Sequence, residues 1–210
     1  IGLGTLIPDN NLSAMMKVFA FDFDGTLTTR DTLIEFIRYA KGNVALCFGF
    51  LLYSPLLILM KIHLYPNYKV KQRIFSFFFK GMNVGNFDEV CRRFATDNRK
   101  LLRKNGMIEM QKAQTDGAKI LIVSASIDNW VTAFFNDMEN VVVVGTKIEV
   151  KDGKLTGCFL TRNCYGSEKV NRIKEIFPKR EEYKLTAFGD SRGDKEMLDY
   201  ADKGYYKPFR

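Results

Sequence analysis

The sequence has one histidine, His63, and four cysteines, Cys47, Cys91, Cys158 and Cys164, none in a Cys-x-x-Cys pair. That set is too poor for a zinc site, and the cysteines read as reduced packing residues of a cytosolic protein. No internal repeat and no low-complexity stretch appears, which excludes a solenoid. Residues 1–14 have no basic run ahead of an apolar one and contain Pro8 and Asp9-Asn10-Asn11, so they do not form a secretory signal. Met15 or Met16 reads as a natural start, with residues 1–15 an upstream leader or extension. No aromatic-interleaved basic stripe and no nucleic-acid motif is present, so nucleic acid is not an expected partner.

What is present is ordinary globular composition, 46% hydrophobic and 27% charged in 210 residues. It is enough for one good-sized core, or a core with a small second domain. Lysine and arginine total 32 against 24 acids, a net charge of +8. With nucleic acid set aside, that balance suits an anionic membrane surface or a phosphate ligand.

Strand and helix alternate along most of the chain. Residues 17–23 read as a first buried strand and Asp31 to Tyr39 as a helix. Residues 42–104 are strongly helical and apolar, with their clearest break at Gly81 to Phe87. Gly106 to Thr115 reads as a helix ended by Asp116-Gly117. Lys119 to Val123 is a short apolar strand suited to a sheet covered on both faces. A helix is expected over Ile127 to Asn136, and a β-hairpin from Val141–Val150 and Lys154–Leu160 around Lys151-Asp152-Gly153. Helix 168–177, strand 184–188, helix 194–200 and strand 204–206 complete the chain. The predicted fold is α/β, a doubly wound (Rossmann-like) parallel sheet with an inserted α-helical cap.

The run Phe21-Asp22-Phe23-Asp24-Gly25-Thr26-Leu27-Thr28 carries the most chemistry. Two acids at i and i+2 on a strand face one side. At a strand end they sit where open α/β sheets place their sites, and they repel unless a cation or proton lies between them. A strand ending in a solvated acidic turn would also explain this pair taken alone.

Further on lie Leu121-Ile122-Val123-Ser124, Gly166-Ser167-Glu168-Lys169 and Phe188-Gly189-Asp190-Ser191-Arg192-Gly193-Asp194. With the first run, these resemble the four ordered motifs of the haloacid dehalogenase superfamily of phosphohydrolases, over residues 17–205. The similarity is greatest to the subgroup that includes phosphoserine phosphatases, whose helical cap is inserted soon after the first motif. The resemblance implies a core of residues 16–33 and 105–210 and a cap of residues 34–104. It implies Asp22 as the nucleophile that forms an aspartyl-phosphate, and Asp24 as general acid and then base. Mg2+ is the implied cofactor, held by the carboxylates of Asp22 and Asp190 and the backbone carbonyl of Asp24. Asp194 would hold waters or Lys169 from outside that set. Ser124, the Ala125 amide and Lys169 would bind the phosphoryl group. Some relatives place the lysine where this chain has Tyr165, and Gly193 stands where Asn is often found.

Alternatives come with these residues. Ser124 and Ser126 would each serve as a helix N-cap, and Lys169 and Arg192 as solvated charges. Asp31 and Arg73 fall near substrate-contacting positions of phosphoserine phosphatases. Asp31 also suits the first turn of its helix, and Arg73 an exposed cap charge. His63 reads as a packing or interfacial residue. Cys164 lies in a candidate active-site loop, open to oxidation.

Residues 44–60, VALCFGFLLYSPLLILM, carry no charge. They sit at the lower limit for a membrane span, but a span would divide Asp22 from Ser124, Lys169 and Asp190 across the membrane. Ser54-Pro55 suggests a kink or turn. The segment therefore reads as a buried helix pair, a monotopic anchor or a greasy substrate pocket. Flanking Lys61, Lys69, Lys71, Arg73 and Lys80 favour a peripheral membrane contact. The layout resembles the bacterial phosphatidylglycerophosphate phosphatases, which share this apolar run and a stretch like Leu160 to Val170. The expected activity is Mg2+-dependent hydrolysis of a lipid-linked or amphipathic phosphate, in the cytoplasm at the inner face of the cytoplasmic membrane. The alternatives are a soluble phosphatase of phosphoserine or another small phosphorylated metabolite, and a membrane-associated interaction protein without turnover. Oligomeric state is left open.

Overall fold

The structure, a computed structural model, describes residues 15–210, so the expected N-terminal extension lies outside it apart from Met15. Strand β1 (Met16–Phe21) leads through a turn at Phe23–Leu27 to four helices: α1 (Thr32–Leu52), α2 (Ser54–Lys61), α3 (Asn67–Phe79) and α4 (Val84–Asp97). Then follow α5 (Lys104–Thr115), β2 (Lys119–Ile127), α6 (Asp128–Ala133) and β3 (Val141–Thr146). Strands β4 (Ile148–Lys151) and β5 (Lys154–Phe159) form a hairpin. The chain closes with α7 (Ser167–Ile176), β6 (Tyr183–Gly189), α8 (Lys195–Tyr200) and β7 (Lys203–Tyr206).

The five-stranded sheet has the order β3-β2-β1-β6-β7, with every pairing parallel. This is the expected doubly wound sheet with an inserted helical region. The chain winds outwards from β1 through β2 to β3, then returns to β6 on the other side. The switch point therefore lies between β1 and β6, and the crevice for a ligand opens beyond their carboxyl ends.

Period-two alternation sorts the strand residues between two cores. Val18, Ala20, Leu121, Val123, Leu185 and Ala187 face one side, with Ile173 of α7 and Met197 of α8. Phe21, Ile120, Ile122 and Phe188 face the other, in one cluster with the phenylalanines of the inserted helices. There the Phe36 ring stacks on Trp130 of α6 with centroids 4.7 Å apart.

Some elements differ from the reading of the sequence. The expected helix 31–39 continues to Leu52, broken at Gly42, where φ is 83° and ψ is 167°. The kink or turn expected at Ser54-Pro55 is present: α1 ends at Leu52, and Pro55 lies in the first turn of α2, where its missing N–H is tolerated. The break expected at Gly81 to Phe87 is shorter, since the Asn83 side chain accepts from the Gly85 and Asn86 amides and starts α4 at once. Only the second half of the expected strand 141–150 joins the hairpin. Val141–Thr146 pairs in parallel with β2 as the edge of the main sheet. The hairpin then sits against the inserted helices, where the Leu155 carbonyl accepts from the Gly81 amide at 2.8 Å and Gln72 Oε1 from the Phe159 amide at 2.9 Å.

Candidate active site

Asp22 follows β1 directly and Asp190 follows β6, so neighbouring strands deliver both acids to the switch point. The Asp22 amide donates to the Phe188 carbonyl at 2.9 Å, which extends the ladder and fixes the residue. The expectation that Asp22 and Asp24 share one strand face is corrected, because β1 has ended and Asp24 lies in the following turn. Their carboxylates have different partners. Asp22 Oδ1 accepts from Lys169 Nζ at 2.5 Å and Asp22 Oδ2 from Thr26 Oγ1 at 3.0 Å. Burial pushes the Asp22 carboxyl up to about 7, against the opposing pull of Lys169.

Lys169, in the first turn of α7, is buried instead of solvated. Its ammonium also donates to Asp194 Oδ1 at 2.6 Å and to the Val123 carbonyl at 2.8 Å. Burial by itself would lower its pKa, but Asp22 and Asp194 outweigh that and hold it above the ordinary lysine range. Tyr165, where some relatives carry the lysine, packs instead against Gly193. A Cβ on Gly193 would fall 2.3 Å from the Tyr165 ring, so the Asn often found there would require that ring to move.

Asp194 organises the loop. Its Oδ2 accepts from the Asp190 amide at 3.1 Å, the Ser191 amide at 2.9 Å and the Ser191 hydroxyl at 2.7 Å. Burial would raise its carboxyl, yet Lys169 and the Ser191 donors hold it below the ordinary range. Asp190 pairs with Arg210 and accepts from Thr26 Oγ1 at 3.4 Å. Gly25, at φ +82°, makes room for it, since a Cβ there would lie 2.5 Å from Asp190 Oδ2. Asp22, Asp190 and Asp194 are all buried and bring carboxylate oxygens within 4.8 Å of one another. Hard oxygen donors of this density suit Mg2+. Asp194 already accepts four hydrogen bonds, three of them on Oδ2, against two each at Asp22 and Asp190, so Asp22 and Asp190 are the better placed ligands.

Asp24 is held from the other side. Its Oδ1 accepts from the Thr32 amide at 2.7 Å and its Oδ2 from the Ser126 hydroxyl. Thr32 Oγ1 in turn lies 3.4 Å from Ser126 Oγ and accepts from Trp130 Nε1 at 3.1 Å. Burial raises the Asp24 carboxyl, helped by nearby Asp31, while Ser126, Thr32 and Lys71 act against it. A raised carboxyl fits a proton donor.

Ser124 and Ser126 do not cap a helix. Strand β2 runs on to Ile127, and α6 starts without a side-chain cap. Ser124 Oγ accepts from the Ser126 amide at 3.0 Å, and the Ala125 carbonyl accepts from Thr146 Oγ1 at 3.2 Å. Exposed Asp31 is the N-cap of α1, accepting from the Leu33 amide at 3.0 Å. Arg73 is exposed on α3. Two positions earlier, which on a helix is nearly the opposite face, half-buried Lys71 lines a small cavity with Leu33, Ala125, Ser126, Trp130 and Phe159. Arg192 is exposed. Cys164 is buried and its thiol is pushed up to about 11 by burial, so it is not the oxidation-prone residue expected.

Thr26, Thr32, Ser126 and Lys71 were missed as site residues. Thr26 had a signal, a hydroxyl directly after the glycine of the acidic turn. Ser126 had another, two residues beyond Ser124 on the same strand face.

With this geometry in view, family comparison agrees. Residues 19–199 match the haloacid dehalogenase-like hydrolase model, and the chain belongs to that family. Protein CicA of Caulobacter vibrioides is 35% identical over 194 residues, covering 91% of this chain and 86% of that protein. The fold is similar to a haloacid dehalogenase family hydrolase from Salmonella enterica serovar Typhi, at TM-score 0.68 and 16% identity, over 90% of this chain and 62% of that one. It is also similar to a phosphoserine phosphatase solved as a phospho-aspartyl intermediate analogue, at TM-score 0.60 and 20% identity, over 91% of this chain and 85% of that one.

Proposed function

We propose that this chain is a Mg2+-dependent phosphomonoesterase that works through an aspartyl-phosphate on Asp22. The observation that carries the reading is the buried Lys169 ammonium bridging Asp22 and Asp194, beside Asp190 at the switch point. Mg2+, held by Asp22, Asp190 and the Asp24 backbone carbonyl, would supply positive charge for the phosphoryl oxygens. Lys169 holds Asp22 in place and adds a second positive charge, and the Ser124 hydroxyl and Ala125 amide supply donors. In the first half, an Asp22 oxygen bonds to phosphorus while the ester P–O bond breaks, and Asp24 gives its proton to the leaving oxygen. In the second, Asp24 takes a proton from water, the water oxygen bonds to phosphorus, and the bond to Asp22 breaks. We assign residues 16–33 and 105–210 to the catalytic core and residues 34–104 to the cap.

Ser126 and Lys71 give this reading two tests. Ser126→Ala removes a hydroxyl donor from Asp24 and is expected to lower kcat roughly tenfold with little change in KM. Steady-state phosphate release measures it, and an unchanged kcat would remove Ser126 from the account. Lys71→Met is expected to raise KM about tenfold, the size of a lost contact with a charged group. Arg73→Ala should leave KM unchanged. The reverse pattern would return the substrate contact to Arg73.

The substrate is a lipid-linked or amphipathic phosphate such as phosphatidylglycerophosphate, cleaved at the inner face of the cytoplasmic membrane. Support comes from the uncharged run 44–60 of the cap, where Val44 is 86% and Leu51 73% exposed. A soluble phosphatase of phosphoserine is the second reading, favoured by the likeness in fold to phosphoserine phosphatase. Magnesium-dependent phosphate release from both substrates, side by side, decides between them. Faster release from phosphoserine would overturn the lipid assignment.

A further inference from the structure

From residue 36 to residue 87 the chain contains no aspartate or glutamate and seven basic residues: Arg38, Lys41, Lys61, Lys69, Lys71, Arg73 and Lys80. Nearly the whole net charge of +8 thus resides in one insertion. Lys41, Lys61, Lys69, Arg73 and Lys80 are all exposed. Between them lies an apolar face of the wrong kind for a protein in water. Helix α2, SPLLILMK, has no buried residue. On α1, Val44, Phe48, Leu51 and Leu52 recur at helical spacing along one exposed side. Exposed Phe77 of α3 continues the face, its ring 6.4 Å from that of Phe48.

The shape decides how such a face meets a membrane. Among the described residues no single helix is long and apolar enough to span, and α1 and α2 meet at a 61° bend. The eight residues of α2 reach about 12 Å, well short of a hydrocarbon core of about 30 Å. An elbow of this kind lies in the interface of one leaflet, with its lysines at the headgroups. At its foot a cleft of about 530 Å3 is lined by Met60, Leu64, Tyr65, Tyr68, Asn163 and Tyr165. A second cleft of about 660 Å3 shares Tyr68, Asn163 and Tyr165 and extends to Phe159. Phe159 also lines the small cavity that holds Lys71 and Ser126.

We propose that the C-terminal half of α1 together with α2 forms an in-plane elbow that docks on an anionic lipid leaflet, with the two clefts as the path from that leaflet to Asp22. The path rests on the lipid-phosphate reading above. The docking does not. Charge complementarity selects the occupant, since the basic rim repels a second copy of itself and attracts acidic headgroups.

The test uses the full chain with vesicles of phosphatidylcholine, alone or mixed with phosphatidylglycerol. The protein is expected to sediment with the mixed vesicles only, and to be released by salt. Phe48→Glu and Ile58→Glu should each weaken this binding about tenfold or more. Lys61→Gln and Lys69→Gln should each weaken it about fivefold. Turnover of soluble p-nitrophenyl phosphate should stay unchanged in all four, which shows that they fold. Three results would overturn the docking: no binding to mixed vesicles, binding unaffected by both glutamates, or a solution dimer that Phe48→Glu splits. Vesicle binding without turnover of either soluble or lipid phosphate would uphold the docking and sink the phosphatase reading.

Discussion

Asp22→Asn is expected to lower turnover by a factor on the order of 10³ or more, the usual consequence of losing a nucleophile. The structure adds an expectation that separates chemistry from folding. Burial already disfavours the charged form of Asp22, whose carboxyl is pushed up to about 7. A neutral amide of the same shape removes that penalty, while Lys169 keeps Asp194 and the Val123 carbonyl as partners. The metal-free variant should therefore melt no lower than the parent. Magnesium should stabilise it less, because one carboxylate ligand is gone. Phosphate release and thermal unfolding, each with and without magnesium, measure both. Near-normal turnover would rule out Asp22 as the nucleophile.

Lys169→Met should do the opposite to stability. Asp22 and Asp194 would stay buried and lose the ammonium between them. Breaking a buried charge network by removing one partner costs about 3–5 kcal/mol. For a chain of this length that is a fall in Tm of roughly 10 °C in the metal-free protein. Magnesium should restore part of the loss, since it brings positive charge to the same carboxylates, but turnover should remain low. The sign of the pH dependence follows from Asp22. Its folded pKa is raised from 3.8 to about 7 even with Lys169 present, and losing that partner raises it further. The folded state then binds more protons than the unfolded one above pH 4, so stability falls as pH rises from there through neutrality. Asp22 is protonated in both folded proteins well below pH 7, so its part of the deficit should shrink as pH falls from alkaline values to about 7, and the part from Asp194, whose carboxyl Lys169 holds below the ordinary range, should shrink on further acidification. A Tm equal to that of the parent at pH 7 without metal would mean that Lys169 is not the counter-charge.

Much of this site could be read along the chain. Asp22, Lys169, Asp190 and Asp194 each follow or begin an element whose apolar pattern is clear, and all stand in short motifs, Asp190 and Asp194 in the same one. Their order suggested one site, and the parallel pairing of β1 with β6 brings it together. Other residues gave less warning. Ser126 faces Asp24 only because β2 runs four residues past the point where its apolar run ends and shifts register against β3 between Val123 and Ile127. Lys71 and Arg73 look alike in sequence, two basic residues in one helix. Which of them faces the cavity depends on how α3 is rotated, and Val70, Ile74, Phe75, Phe78 and Phe79 set that by burying themselves.

The sequence by itself determined the elements of the core, the family and the acids that gather at the sheet edge, because these rest on local periodicity and short motifs. Tertiary structure decided the rest. Lys169 and Asp22 are 147 residues apart in the chain and 2.5 Å apart in space. The shifted ionisation of Asp22, the chain of donors from Trp130 through Thr32 to Ser126 and Asp24, and the outward turn of the apolar elbow exist only once distant segments pack. Charge interactions and desolvation depend on distance and burial, and neither is a property of a residue taken alone.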